Sequence, residues 1–364
     1  MIPVTKPYFP SREKLNSYID GIYERQWLTN NGQLVQQLTQ RLEDYLGVKN
    51  LLLIANGTLA LQIAYRALGV SDANRDNKPE AITTPFTFIA TASSLKWDGV
   101  QPVFTDIDPD TWCLAPNKIE AAITASTRAI VPVHVFGNAC DVEAIGEIAN
   151  RHHLKVIYDA SHAFGVNYKG ESLLKYGDAA TLSFHATKLF HTGEGGAVVF
   201  KNKEDLERAR RMINFGITGP ENIDELGINA KMSELQAAMG LSVLDEMEKN
   251  IEARAQIWRT YEEVLPDNLQ LQAQHEALSY NHAYFPVVFK SEAQTVRVAA
   301  TLKKNGILAR RYFYPSLDTV AVTAMRSSCS VSQNVASRVL CLPIYFALDI
   351  KDAGFIAELI KGVL

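Results

Sequence analysis

KNLLLIANGTLALQIAYRAL, residues 49–68, holds the pattern that decides the fold. Its first half is a short apolar run ended by Ala55-Asn56-Gly57, and its second half places apolar residues at three- and four-residue intervals. The pattern predicts a strand, a tight turn and a helix beginning near Gly57 and Thr58. Working outward, short apolar runs recur at 81–84, 102–106, 129–135, 155–159, 180–184 and 197–200, mostly separated by helical or turn segments. Such alternation predicts an α/β fold with a largely parallel sheet covered by helices. Upstream, residues 33–45 have helical spacing, and SDANRDNKPE at 71–80 reads as a polar surface loop. Past Asn229, apolar residues keep helical intervals through KMSELQAAMGLSVLDEMEKNIEARAQIWRTYEEVL, too far for an ordinary globular helix. One long helix joining a large domain, residues 1–240, to a small C-terminal α/β domain, residues 241–364, is expected, the second with its own mixed sheet.

Composition narrows the function classes. The 364 residues are 47% hydrophobic and 21% charged, with no run able to span a bilayer. A formal net charge of -4 without basic blocks argues against nucleic acid, leaving small molecules or copies of the chain as partners. Cys113, Cys140, Cys329 and Cys341 lack paired metal-ligand spacing and read as free thiols. The opening MIPVTKPYFPSREKL lacks the features of a secretory leader, so a cytoplasmic protein is expected.

Three features can carry chemistry. Asp159 ends the apolar run of LKVIYDASHAFG, which places it at the carboxyl edge of a parallel sheet, where such sheets bind ligands; acids there also cap helices. Lys188 follows a strand in TLSFHATKLFHTGEGGAVVF, within a turn holding Ser183, His185, His191 and three glycines, although most lysines are only solvated. Gly57 and Thr58 open a helix, whose free N–H groups favour an anion, unless Asn56 or Thr58 serves simply as its cap. Together with Phe88 in PFTFIAT, these are the parts of a pyridoxal-phosphate site. The helix start takes the phosphate, Phe88 covers a ring face, Asp159 keeps the pyridine nitrogen protonated and Lys188 carries the cofactor through its amine.

At these residues the chain resembles the DegT/DnrJ/EryC1/StrS family of sugar aminotransferases, of the type I fold of pyridoxal-phosphate enzymes. The likeness runs through WLTNNG, ANGTLAL, TTPFTFIATA, PVFTDIDPDT, YDASHAFG, SFHATKLFHTGEGGAVV, GINAKMSELQAAMG and YFYPSL. It implies Lys188 as the cofactor lysine, Asp159 as the pyridine partner and His162 beside the cofactor's ring hydroxyl. It implies Phe88 as the stacking aromatic, Gly57, Thr58 and Ser183 as phosphate ligands, and Asn229 as a phosphate contact from a second subunit, hence a homodimer. His185 before Ala-Thr-Lys188 resembles members acting at sugar C4. The implied reaction is amino transfer from L-glutamate to dTDP-4-keto-6-deoxy-D-glucose, by way of pyridoxamine phosphate, for a surface polysaccharide such as O-antigen. Arg310, Arg311 and Tyr314 in ARRYFYP could hold the diphosphate or sugar. His191 and the SLD after YFYP depart from the common family pattern on the substrate side.

Other readings are a 3-keto sugar aminotransferase and a regulatory homologue that binds pyridoxal phosphate or a nucleotide sugar without turnover. A related dehydratase carries His at the lysine position, which Lys188 opposes. A hydrolase triad of Ser161, His162 and Asp159 lacks a nucleophile elbow.

Overall fold

The computed structural model describes residues 1–71, 78–323 and 328–364, so positions 72–77 of the expected surface loop lie outside the described residues. The main sheet contains β1 (Leu51–Ile54), β2 (Glu80–Thr83), β3 (Gln101–Phe104), β4 (Thr127–Val131), β5 (Lys155–Asp159), β6 (Ala179–Ser183) and β7 (Gly196–Phe200). Their spatial order is β1-β7-β6-β5-β4-β2-β3. β7 runs antiparallel to both neighbours, and the other adjacent pairs are parallel.

Both faces of this sheet are covered, which is why its strands read as continuous apolar runs. Helices α1 (Arg12–Arg25), α2 (Gln33–Leu46), α3 (Gly57–Ala67), α4 (Ile89–Trp97), α5 (Val142–His152) and α6 (Lys203–Met212) supply much of that cover. Leu51 and Leu53 pack with Leu38 and Leu42 of α2, whereas Leu52 and Ile54 pack with Leu61 and Ala64 of α3 and Leu206 of α6. This is the two-residue alternation of a strand. Local chemistry sets the helix starts: Asn56 Oδ1 accepts from the Leu59 N–H at 2.9 Å, and Asp141 Oδ1 from the Ala144 N–H at 3.0 Å.

The long helix expected after Asn229 is two helices, α7 (Glu234–Leu244) and α8 (Met247–Val264). Carboxylates mark the break. Asp245 pairs with Arg41 at 2.6 Å, and Glu246 accepts from the Tyr8 hydroxyl and, at 3.2 Å, from the Ser11 N–H. The N-terminal segment and α2 therefore bind the two residues where the helix stops, a tertiary contact that apolar spacing does not encode. Residue 240 falls inside α7, whose Leu241, Val243 and Leu244 belong to the main core.

The rest of the chain contributes β8 (Gln270–Leu271), β9 (Phe285–Val288), α9 (Glu292–Lys304), α10 (Ser330–Arg338), β10 (Val339–Leu342) and α11 (Ile350–Lys361). Ile257 and Tyr261 of α8 join Phe285, Leu340, Ile356 and Ile360 in a separate apolar cluster. Its sheet, β8-β9-β10, is antiparallel and not mixed as expected. The parallel pairing in this region goes to Ile2–Pro3, which lie beside Ile307 and Leu308 and tie the chain's start to its C-terminal third. Among the described residues, no helix is long and apolar enough to cross a membrane.

Candidate active site

The carboxyl ends of β1, β5 and β6 and the start of β7 lie on one edge of the main sheet. Gly196 is in register with Ser183 on one side and Ile54 on the other. Close approach here requires glycine: a Cβ on Gly57 would lie 2.8 Å from Ser183 Cβ, and one on Gly196 would lie 2.7 Å from the Asn56 carbonyl oxygen. The first turn of α3 thus opens beside Ser183, with Thr58 exposed. Its N–H groups and the positive helix end make a cradle suited to an anion, even though Asn56 caps the Leu59 N–H.

Asp159 ends β5 and is buried. Its Oδ1 accepts from the Ser161 N–H at 3.1 Å and the Ser161 hydroxyl at 2.6 Å, and its Oδ2 accepts from the Thr91 hydroxyl at 2.7 Å. Because Thr91 spends its proton on Asp159, the 2.9 Å contact between Thr87 and Thr91 must have Thr87 as donor. Three donors, the Thr91 hydroxyl of α4 and the Ser161 N–H and hydroxyl just past β5, thereby fix a buried carboxylate, and Thr87 holds Thr91 in turn. Ser161 is bound to this acid and not arranged as a nucleophile.

Lys188 lies in the connection between β6 and β7. Its Nζ donates to the Tyr284 hydroxyl at 3.3 Å. Desolvation by burial lowers its amine to about 8, against the pull of Asp159 and Tyr312, which favour the charged form. An amine so placed exists in appreciable neutral form near physiological pH, as a nucleophile or proton acceptor requires. His162 is buried beside it, its ring 4.6 Å from that of Tyr284 and stacked with Phe313 at 5.7 Å. Burial first, and the Lys188 charge second, push its pKa well below the usual value. The ring is therefore neutral. Its Nδ1 accepts from the Phe136 N–H at 3.1 Å, which assigns the proton to Nε2 as a donor.

The remaining sequence candidates fall in different places. Phe88 is 52% exposed just ahead of α4, on the run that leads to Thr91. Asn229 is exposed and bridges to Asn214, with the next residue accepting the Ala55 N–H at 2.8 Å, so this stretch flanks the end of β1. His185 is exposed and folds back on Thr187 at 2.8 Å. His191 is buried and has both ring nitrogens engaged, one 2.7 Å from the Tyr8 carbonyl and the other accepting from the Gly193 N–H at 3.2 Å. It pins the lysine turn to the N-terminal segment. Arg311 is already engaged, donating to Glu292 at 2.7 Å and to the Ser337 carbonyl at 2.6 Å while lying over the Tyr314 ring at 3.5 Å. Arg310 lies over Tyr312 at 4.7 Å.

Tyr284, Thr91 and Phe313 belong to the cluster but are not singled out in the sequence: Thr91 and Phe313 lie in TTPFTFIATA and YFYPSL, whereas Tyr284 lies in none of the motifs that carry the resemblance. Tyr284 sits in HAYFPVVFK, which reads only as part of the C-terminal domain's sheet, and Thr91 in PFTFIAT, which is read only for Phe88. A cavity of about 570 Å³ beside β1 is lined by Gln36, Glu43, Arg210 and Lys231, not by the cluster; the chemistry converges at the sheet edge instead.

The model of the DegT/DnrJ/EryC1/StrS aminotransferase family matches residues 11–361. The chain belongs to that family. It is 42% identical to a dTDP-4-amino-4,6-dideoxy-D-glucose transaminase of Shigella dysenteriae, over 99% of this chain and 98% of the relative. A protein of the same name from Escherichia coli is 37% identical, with 99% and 98% covered. Among solved structures, DesI in the presence of its TDP-sugar product superposes with a TM-score of 0.92 at 34% identity, covering 99% of this chain and 92% of that one. As a member of the family the chain is an aminotransferase, and its mostly parallel sheet is the family architecture.

Proposed function

We propose that this aminotransferase moves an amino group from L-glutamate to C4 of a 4-keto-6-deoxyhexose linked to dTDP, giving the 4-amino-4,6-dideoxy sugar, with pyridoxal 5'-phosphate as cofactor. The observation that carries the acceptor is the likeness, along almost the whole chain, to two relatives named for that amino sugar.

The residues fit the cofactor. The backbone approach at Gly57 and Gly196 leaves a cradle that a Cβ would fill, suited to a phosphate, and Lys188 is desolvated within electrostatic reach of Asp159. Gly57, Thr58 and Ser183 would hold the phosphate, Phe88 would cover the ring, and His162 would donate from Nε2 to the ring oxygen. When bound, the cofactor supplies an electron-poor ring that stabilises the charge left when the donor's α-carbon loses its proton. The protein's part is orientation and proton movement. Asp159, held by Ser161 and Thr91, would favour a proton on the ring nitrogen; Lys188 would accept the donor's α-proton and give it back; Tyr284 would orient the lysine amine.

We propose a homodimer as the active unit, with Asn229 of a second copy completing the phosphate site. Support comes from the segment leading to it, where Phe215, Ile217, Ile223, Leu226 and Ile228 are all exposed, Leu226 at 79%. Such an apolar patch on a surface hairpin fits burial against another copy.

The test supplies dTDP-linked 4-keto and 3-keto isomers with glutamate and locates the new C–N bond by NMR. Higher kcat/KM with the 3-keto isomer overturns the C4 assignment. Binding without turnover for every nucleotide-linked keto sugar would favour the regulatory alternative.

A further inference from the structure

Helix α8 carries a buried cation that meets no acid among the described residues. Arg254 is 2% exposed, and Asn250, one turn earlier on the same face, is fully buried. The guanidinium donates from Nε to Asn250 Oδ1 at 3.2 Å and from Nη1 to the carbonyls of Ala283 at 3.3 Å and Ile344 at 3.1 Å. Asn250 Nδ2 donates to the Leu189 carbonyl at 3.0 Å.

Two of these carbonyls adjoin the reactive cluster: Leu189 follows Lys188, and Ala283 precedes Tyr284. Since Lys188 Nζ meets the Tyr284 hydroxyl at 3.3 Å, the links close into a ring from Arg254 through Ala283-Tyr284, Lys188-Leu189 and Asn250 back to Arg254. The ring joins three segments far apart in sequence.

We propose that Arg254 and Asn250 are positioning residues that set the contact between Lys188 and Tyr284, holding the lysine turn and the β9 entry at a fixed separation. This rests on the reading of Lys188 as the cofactor lysine. Stability alone does not account for an arginine here, because a buried charge without a carboxylate carries a desolvation penalty that an apolar side chain of similar volume avoids. The rigid guanidinium plane instead fixes backbone oxygens of separate segments in one geometry, which a flexible ammonium does less well. Burial lowers the guanidinium to about 10, so it stays charged at neutral pH. Tyr284 and His191 face Arg254 electrostatically, while Asp159, Tyr284, Tyr312 and His162 face Lys188.

The experiment uses the holoenzyme and reads kcat, KM for glutamate and the pH titration of the visible band of lysine-bound cofactor. Asn250→Asp keeps the acceptor for Arg254, now as a carboxylate that pairs with it, but puts an oxygen against the Leu189 carbonyl, opening the ring at the lysine turn. The expected result is a kcat about tenfold lower or more, a KM changed less than about threefold, and a shifted titration midpoint. Arg254→Met should behave likewise, with Arg254→Lys recovering part of the loss. Combining Arg254→Met with Tyr284→Phe should cost little beyond the worse single variant, since both act through one contact.

Wild-type kcat and titration midpoint in Asn250→Asp would overturn the proposal, as would fully multiplicative effects of Arg254→Met and Tyr284→Phe. If Arg254→Met does not fold, Asn250→Asp decides. A wild-type enzyme with no borohydride-sensitive visible band would overturn the Lys188 reading as well, whereas a normal wild-type band with unshifted variants removes only the positioning pair.

Discussion

Replacing Lys188 by methionine should abolish turnover and yet make the cofactor-free protein more stable. Burial lowers the amine from 10.5 to about 8, so at pH values between these the unfolded chain binds a proton that the folded chain does not. For a lysine depressed in this way, the charged folded form is penalised: the penalty is fully present below about 8 and disappears as pH rises through 10.5. At about 1.4 kcal/mol per pH unit, this sets an upper limit of about 3 kcal/mol at pH 7. Partial exposure of the side chain and loss of the contact to Tyr284 both reduce the gain, leaving about 1–2 kcal/mol. The same linkage predicts that roughly half of it remains at pH 9.5. Urea unfolding of cofactor-free wild type and Lys188→Met at the two pH values measures the difference. A variant no more stable at neutral pH, or an advantage that does not shrink in alkali, would refute desolvation of the lysine as its source.

Asp159→Asn should lower kcat by about 100-fold or more while cofactor stays bound, because the amide cannot hold charge opposite a ring nitrogen; steady-state rates near wild type would reduce Asp159 to a structural partner of Thr91 and Ser161. Glu234→Ala should destabilise the fold by about 1–3 kcal/mol, since the buried carboxylate accepts from the Leu34 and Val35 N–H groups at 2.9 Å each and caps the start of α2. Thermal unfolding would show it, and an unchanged midpoint would mean that the cap contributes nothing.

The main sheet was legible because strands buried on both faces leave unbroken apolar runs, and Asp159, Ser183 and Gly57 were placed by following such runs to their ends. Lys188 follows the next such run, whereas His162, and Ser183 as a phosphate ligand, came only from the family resemblance. What stayed hidden depends on tertiary meeting points. Tyr284 enters the site from a stretch nearly a hundred residues beyond Lys188, and no local pattern separates it from a core aromatic. Arg311 looked free in ARRYFYP because its partners, Glu292 and Ser337, lie elsewhere in sequence. The break between α7 and α8 escaped notice for the same reason: the residues that bind Asp245 and Glu246 come from the N-terminal segment and α2.

The single reversed strand has a consequence for how the chain comes off the ribosome. β1 pairs only with β7 in the main sheet, so Leu51–Ile54 must wait for Gly196–Val199 to be synthesised before finding a partner. Strands β2 to β6 can associate before that point, but the anion cradle cannot, since it needs Gly57 from one end of that interval and Gly196 from the other. Long-range pairing of this kind closes late, after the intervening loop entropy has been overcome. The chain must therefore be made as far as Phe200 before β1 has its sheet partner, and the close approach of Gly57 and Gly196 cannot form earlier than that.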